Sequence, residues 1–170
     1  MLQQNVIHNQ SHSPEKIIAL MHPDSRSATL AIVQPTDAEI IAQRQKSSVA
    51  WRGALSTEAY LRREEYLRQR GLAKDAGITY WVLVDTALAE KDRVVLAGCE
   101  TLRKRALVSK NGKVHDAVAH GVASVFCPVE NRNRGYAARM IQELGIKLRT
   151  WKGGPSGCLF SVLYSDIGKV

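Results

Sequence analysis

The chain has 170 residues, of which 45% are hydrophobic and 24% are charged, and its formal net charge is +8. This composition is typical of one globular domain with a buried core. No apolar run reaches the roughly 18 residues that a membrane span needs, and the N-terminus has the pattern of neither a secretory signal nor a transit peptide. The basic excess suits nucleic acid, an anionic surface or an anionic small ligand, or it serves solubility alone.

The spacing of the cysteines argues against a metal site and against a disulfide framework. The three cysteines lie far apart, and no CxxC pair occurs (Cys99, Cys127 and Cys158). We therefore predict no metal. Thiols in apolar runs behave as small core hydrophobes and suit a reducing compartment, so we expect a cytoplasmic protein.

The N-terminal segment differs in composition from the rest of the chain. Residues 1–27 are rich in Gln, Asn, His and Ser, which is typical of a flexible extension. The folded domain should then cover residues 28–170.

One strand and two helices are predicted at the start of the domain. The β-branched run Thr29–Thr36 favours a strand. Thr36 or Asp37 should cap a first helix that runs towards Val49. Ser56 should cap a second helix, which stops at Gly71.

An antiparallel meander is predicted in the middle of the chain. Ile78–Asp85 and Arg93–Leu102 are dense in β-forming residues, and Arg105–Ser109 either continues the second strand or forms another. The Asn-Gly pair within Lys110–Lys113 indicates a tight turn. A further strand should cover His120–Cys127, where Pro128 ends its ladder.

The last predicted unit is strand–helix–strand. After Gly135, apolar residues recur at three- and four-residue steps and form one helical stripe (Ala137, Met140, Ile141, Leu144, Leu148 and Trp151). Gly153–Gly157 breaks this helix, Cys158–Ser165 favours a short buried strand, and another helix could begin at Asp166. Because a strand–helix–strand crossover is right-handed and pairs its strands in parallel, the fold class is α/β or α+β with one mixed sheet.

The stretch ENRNRGYAARM places positive charges at the start of that helix. Arg132 and Arg134 oppose the helix dipole, which favours negative charge at its N-terminus. Free N–H groups of the first turn, together with the close approach that Gly135 permits, form an anion site. A solvated basic loop is the alternative.

The residues of this loop resemble a known motif. The P-loop pattern and GxGxxG are both absent. The run CPVENRNRGYA resembles motif A of the GCN5-related N-acetyltransferases (GNAT), V-x-P-x-x-[QR]-x-x-G-x-[GA], with Arg132, Gly135 and Ala137 on its last three positions. Cys127 and Val129 depart from the pattern. Within the superfamily, segments such as WRGALSTEAYLRREEYL and GCETLRK look most like fungal lysine N6-acetyltransferase-type proteins.

The resemblance implies an acyl-CoA N-acyltransferase-like fold and acetyl-CoA as co-substrate. In the family, backbone N–H groups of the loop hold the pyrophosphate, and the pantetheine arm pairs with the end of the fourth strand, which splays from the fifth. The residues implied are Val125, Phe126 and Cys127 for pantetheine, and Arg132, Asn133, Arg134, Gly135, Tyr136 and Ala137 for pyrophosphate. The amine attacks the thioester directly, so Cys127 need not be a nucleophile.

The acceptor amine needs a base, because a lysine side chain has a pKa of about 10.4. Glu100 and His120 are the candidates, although each also fits a solvated strand-edge group, and Glu130 in the loop is a third. The family's general acid is typically a Tyr in the helix after the fifth strand. No Tyr follows Asp166, so we expect this acid to be absent and the domain to be truncated after the fifth strand.

Three functions follow as hypotheses. The first is acetyl transfer to free lysine or another small amine, with Glu64, Glu65 and Glu100 available for a cationic substrate. The second is a catalytically impaired CoA-binding or interaction module. The third, nucleic-acid binding, is disfavoured because basic residues often lie beside Glu, as in Arg62–Arg70, rather than clustering with exposed aromatic residues.

Overall fold

A mixed five-stranded sheet forms the centre of the part of the chain that the structure describes. The computed structural model describes residues 22–153 and 157–163. Nine elements follow one another in this part of the chain: β1 Leu30–Val33, α1 Asp37–Trp51, α2 Thr57–Arg68, β2 Ile78–Asp85, β3 Ala97–Lys110, β4 Lys113–Phe126, a 3-10 turn Val129–Asn131, α3 Tyr136–Leu148 and β5 Cys158–Leu163.

The strands lie in the sheet in chain order, and all neighbours are antiparallel except the last pair. β4 and β5 are parallel and are joined through α3, as a strand–helix–strand unit requires. The predicted fold class, a mixed sheet with flanking helices, is confirmed.

Capping residues fix the starts of the first two helices. The Thr36 side chain accepts a hydrogen bond from the Glu39 N–H, and the Glu39 side chain accepts one from the Thr36 N–H, which is a complete capping box. Ser56 caps α2 through the Ala59 N–H. These caps confirm both predicted starts. Each such cap stabilises a helix by about 1 kcal/mol.

Two strand starts were predicted wrongly in the meander. Asn111 and Gly112 take φ of 53° and 73°, a turn that suits a tight hairpin. Its ladder therefore begins at the Lys110–Lys113 pair, and β4 starts seven residues before the predicted His120. β3 begins at Ala97 rather than Arg93, because the Arg93 N–H donates to the Ala89 carbonyl at 3.0 Å in the preceding turn. The Arg93 side chain forms a buried ion pair with Glu39 at 2.7 Å.

The apolar stripe of α3 packs on one face of the sheet. Met140, Leu144 and Leu148 are at most 2% exposed and contact the buried side chains of β1 and β2, including Trp81 and Leu83. This is the face that the sequence periodicity predicts. In the described part of the chain, no helix combines the length and hydropathy of a membrane span.

The prediction of a buried fifth strand was wrong. Leu159, Phe160 and Leu163 are 55%, 42% and 46% exposed. The cause is that β5 is the outer strand of the described sheet and pairs with β4 alone. Tyr164 and the helix predicted from Asp166 lie outside the described residues.

The segment before β1 contacts α3. The Tyr136 hydroxyl donates to the Pro23 carbonyl at 2.7 Å, and Arg139 donates to the carbonyls of Ser25 and Ser27 at 2.7 and 3.4 Å. These contacts join residues 22–27 to the domain, so its boundary at residue 28 stays a prediction.

Candidate functional site

The loop between β4 and α3 has the conformation of an anion-binding turn. Asn133 and Gly135 both adopt the left-handed backbone, with φ of 59° and 80°, and Gly135 is the N-cap of α3. Successive N–H groups in such turns point to one side, and the first N–H groups of a helix have no partner within it. A Cβ on Gly135 would lie 2.8 Å from Ser25 Oγ, so a larger residue would have to displace that hydroxyl, and the positive φ itself favours glycine.

A groove of about 530 Å³ runs beside this loop. We call it the loop groove; its lining consists of the end of β4, the loop, the first turn of α3 and the end of α1 (Ala50, Trp51, Val125, Phe126, Cys127, Asn131, Arg132, Asn133, Gly135, Tyr136, Ala137 and Ala138). All residues implied for acetyl-CoA binding line it except Arg134. Their role in binding remains a prediction.

The two loop arginines have carbonyl partners. Arg132 Nε donates to the Cys127 carbonyl at 3.2 Å, and Arg134 Nη2 donates to the His22 carbonyl at 2.9 Å. The sequence predicted an anion such as phosphate as the partner of these arginines. In the structure, backbone carbonyl oxygens accept hydrogen bonds from both of them. The guanidinium of Arg134 ties the segment before β1 to the loop.

Asn131 was missed by the sequence analysis. It is 1% exposed, yet neither atom of its side-chain amide has a hydrogen-bond partner among the described residues. Buried polar groups are normally paired, so an unpaired amide in the lining of the loop groove fits a polar ligand.

Cys127 does not have the environment of a nucleophile. Its thiol donates to the Leu96 carbonyl at 3.4 Å, and burial raises its pKa. A reactive cysteine needs a lowered pKa, so direct transfer to the amine agrees better with this geometry.

A second cavity lies between the sheet and helices α1 and α2. We call it the inner cavity; its volume is about 40 Å³, and five elements and the turn before α1 line it (Pro35, Ile40, Gln43, Arg44, Ser47, Trp51, Tyr60, Glu64, Tyr80, Trp81, Val82, Cys99, Glu100 and Ser124). It shares Trp51 with the loop groove and ends at Ser124, next to Val125 of that groove.

Glu100 lies in the inner cavity as a partly buried carboxylate. Ser124 Oγ donates to its Oε1 at 2.8 Å. Burial raises the pKa of Glu100, the bond from Ser124 lowers it, and the charge of Glu64 raises it again. The interpretation as a solvated strand-edge group was therefore wrong, because α1 and α2 cover this part of the strand.

His120 points away from that cavity. It pairs with Arg103, which is three residues from Glu100 along β3, and side chains alternate between the two faces of a strand. His120 is 1% exposed, and its Nε2 donates to the Trp151 carbonyl at 2.9 Å, just beyond α3. Burial lowers its pKa. The structure thus separates the two base candidates, and His120 is neither solvated nor at the inner cavity.

Glu130 and Glu65 also lie outside the lining of the inner cavity. Glu130 pairs with Lys46 of α1 at 2.8 Å. Burial raises the pKa of Glu130, but the hydrogen bonds from Lys46 and from the backbone, together with the positive charge of Lys46, outweigh it, so the pKa is lowered. Glu64 does line the cavity, and Arg63 lies 2.9 Å from its carboxylate.

This chain is similar in sequence to parts of two longer proteins. No protein-family model matches it. Over 107 residues it is 32% identical to a lysine acetyltransferase of Yarrowia lipolytica, a match that covers 62% of this chain and 26% of that protein. Over 116 residues it is 28% identical to an uncharacterized protein of Saccharomyces cerevisiae, covering 56% of this chain and 29% of that protein. The chain thus matches only between a quarter and a third of the length of these relatives.

Solved structures give the fold. NAA60 of Arabidopsis thaliana in complex with acetyl-CoA aligns with a TM-score of 0.53 at 12% identity, over 79% of this chain and 76% of that one. AAC(6')-Iy in complex with a CoA bisubstrate analog aligns at 0.50 with 16% identity, over 81% and 80%. The chain has the fold of the GNAT acetyltransferases, and its predicted resemblance to a fungal lysine acetyltransferase is confirmed.

Proposed function

We propose that the chain is an acetyl-CoA-dependent N-acetyltransferase that acts on a primary amine, and that this amine is the side chain of lysine. One observation carries the proposal. The loop groove and the inner cavity meet at Trp51 and at the Ser124–Val125 step of β4, so the anion-binding turn and the partly buried carboxylate of Glu100 lie on either side of one junction.

The loop groove has the features that a bound acetyl-CoA needs. The turn at Asn133–Gly135 and the start of α3 offer N–H groups to a pyrophosphate. The unpaired amide of Asn131 offers a further donor. The described pairing between β4 and β5 ends at Val122–Leu163. Val125 and Phe126 lie beyond this last described pair, so the pantetheine arm of acetyl-CoA would pair with β4 there.

The inner cavity suits a cationic amine. Its lining carries two acidic groups, Glu64 and Glu100, against one cationic group, Arg44. Four aromatic rings form much of the wall, and the faces of such rings attract cations. The name of the Yarrowia lipolytica relative is the second support for lysine.

Glu100 is the base in this proposal. Acetyl-CoA supplies the acetyl group as a thioester, and a neutral amine attacks its carbonyl carbon directly. A C–N bond forms, the C–S bond breaks, and CoA leaves as a thiolate that takes up a proton from water. A lysine side chain is protonated near pH 7, so Glu100 accepts its proton. A base works best when its pKa lies near the working pH, and burial moves the pKa of Glu100 in that direction.

Calorimetric titration with acetyl-CoA tests the binding half of the proposal. Gly135→Glu places a charged side chain in a left-handed turn at the phosphate site and should abolish saturable binding. The matched control is Gly112→Glu, at a hairpin turn with φ of 73° and nothing near its Cβ; it should bind like the unmodified chain. Binding that survives in a folded Gly135→Glu protein would overturn the assignment of this groove.

A transfer assay with free lysine and with a lysine-containing peptide tests the other half. Acetylation of either amine supports the proposal, and the comparison identifies the acceptor. Binding of acetyl-CoA without transfer to any amine would instead indicate a CoA-binding module. A cytoplasmic location is part of the proposal, because the three cysteines are free thiols.

A further inference from the structure

Ser124 has an unusual backbone for a residue inside a strand. β4 has one residue more than β3 between the pairs Gly98–Phe126 and Glu100–Ala123, and Ser124 in this bulge has φ of 53°. Residues other than Gly, Asn and Asp rarely adopt positive φ, and such positions cluster at functional sites. Glycine would fit this backbone without strain, so the side chain of Ser124 needs an explanation.

The hydroxyl of Ser124 has a specific partner. It donates to Glu100 Oε1 at 2.8 Å, and among the described residues it is the only side chain that donates a hydrogen bond to Glu100. Arg44 lines the same cavity but donates to the Tyr80 hydroxyl at 2.8 Å and lies 3.5 Å from Glu65.

We propose that Ser124 is a positioning residue: its hydroxyl holds Oε1 of Glu100 and leaves Oε2 to accept the proton of the acceptor amine. The inference rests on the proposed acetyl transfer, because it orients the base of that reaction. The bulge puts this hydroxyl one residue before Val125, so one backbone segment serves both the loop groove and the inner cavity.

The surroundings of Glu100 predict how its protonation depends on Ser124. Burial raises the pKa of Glu100, Glu64 of α2 raises it further, and Arg44 of α1 lowers it together with Ser124. Burial also raises the pKa of Tyr60 and Tyr80, so both phenols stay neutral near pH 7. Burial raises the pKa of the neighbouring Cys99 thiol to about 12. Without the Ser124 hydroxyl, the pKa of Glu100 should therefore rise.

The test compares Ser124→Gly with Asn111→Gly. Both sites have φ of 53°, so glycine relieves the same backbone conformation in each variant, but Asn111 lies at the distant hairpin turn. The Glu100 carboxyl is followed by 13C NMR titration and assigned with Glu100→Gln. In parallel, kcat/KM for lysine is measured against pH, and the Kd of acetyl-CoA by calorimetry.

We expect Ser124→Gly to shift the Glu100 titration and the acidic limb of kcat/KM to higher pH. kcat should fall by about tenfold, the effect of losing one hydrogen bond to a charged group, while the Kd of acetyl-CoA and the behaviour of Asn111→Gly stay unchanged. An unshifted Glu100 titration in Ser124→Gly would overturn the inference. A shifted titration in a chain that transfers no acetyl group would support the hydrogen bond and refute the proposed function.

Discussion

The loop groove and the inner cavity are built in different ways. All residues that line the loop groove lie within 125–138, except Ala50 and Trp51, and its anion site consists of backbone N–H groups. The inner cavity takes its chemistry from side chains on five elements. A backbone site depends on chain conformation, whereas a side-chain site depends on which residues the elements carry. Binding of acetyl-CoA should therefore survive many changes that abolish or redirect transfer.

Glu100→Gln should give the largest difference between the two regions, because it should change acetyl transfer without changing acetyl-CoA binding. The amide keeps the shape of the side chain but cannot accept the proton of an ammonium group. We expect kcat to fall by about 10²–10⁴-fold, with an unchanged Kd for acetyl-CoA, measured by steady-state kinetics and calorimetry. A variant that retains full kcat would show that another group is the base.

Trp51 should couple the two regions, because it lines both. Its ring packs edge-on against Phe126, with centroids 5.5 Å apart. Trp51→Ala should weaken acetyl-CoA binding and raise the KM of the amine, each by about tenfold, through the lost ring contacts. Val49→Ala is the control, since Val49 is on the same helix and 84% exposed. A change in only the Kd of acetyl-CoA or only the KM of the amine would contradict the prediction that Trp51 contributes to both sites.

Substitution of Asn131 should weaken acetyl-CoA binding in the loop groove and leave the inner cavity unchanged. In Asn131→Ala, we expect acetyl-CoA binding to weaken by several-fold to about tenfold, the loss of one hydrogen bond to a charged group. The melting temperature should change little, because removal of an unpaired buried amide offsets the lost packing. A large drop in melting temperature with unchanged binding would mean that Asn131 is structural.

His120 should affect neither region and act only on stability. Its pKa is lowered by burial, so the neutral form is favoured in the folded state. Stability should be full above the unfolded pKa of about 6.5 and decline as the pH falls through the lowered folded pKa. His120→Gln should flatten this decline in thermal unfolding between pH 8 and about pH 5, with kcat unchanged. A lower kcat of His120→Gln at neutral pH would show that His120 takes part in the reaction.

Local sequence determined much of the fold and the loop groove. The caps at Thr36 and Ser56, the Asn111–Gly112 turn and the stripe of α3 each depend on interactions within a few residues, so their patterns predicted the elements correctly. The turn at Gly135 is local in the same way. The implied acetyl-CoA residues of the loop and the end of β4 therefore fell together in one groove, apart from Arg134.

Only the tertiary structure decided where the remaining groups point. Strand pairing placed Glu100 under α1 and His120 against Trp151, although both belong to strands of similar composition. A single extra residue in β4 turned Ser124 towards Glu100, and packing of α1 brought Trp51 to both cavities. β5 became exposed because of its place in the sheet, not because of its apolar residues. These outcomes depend on contacts between residues distant in the chain, which no local pattern records.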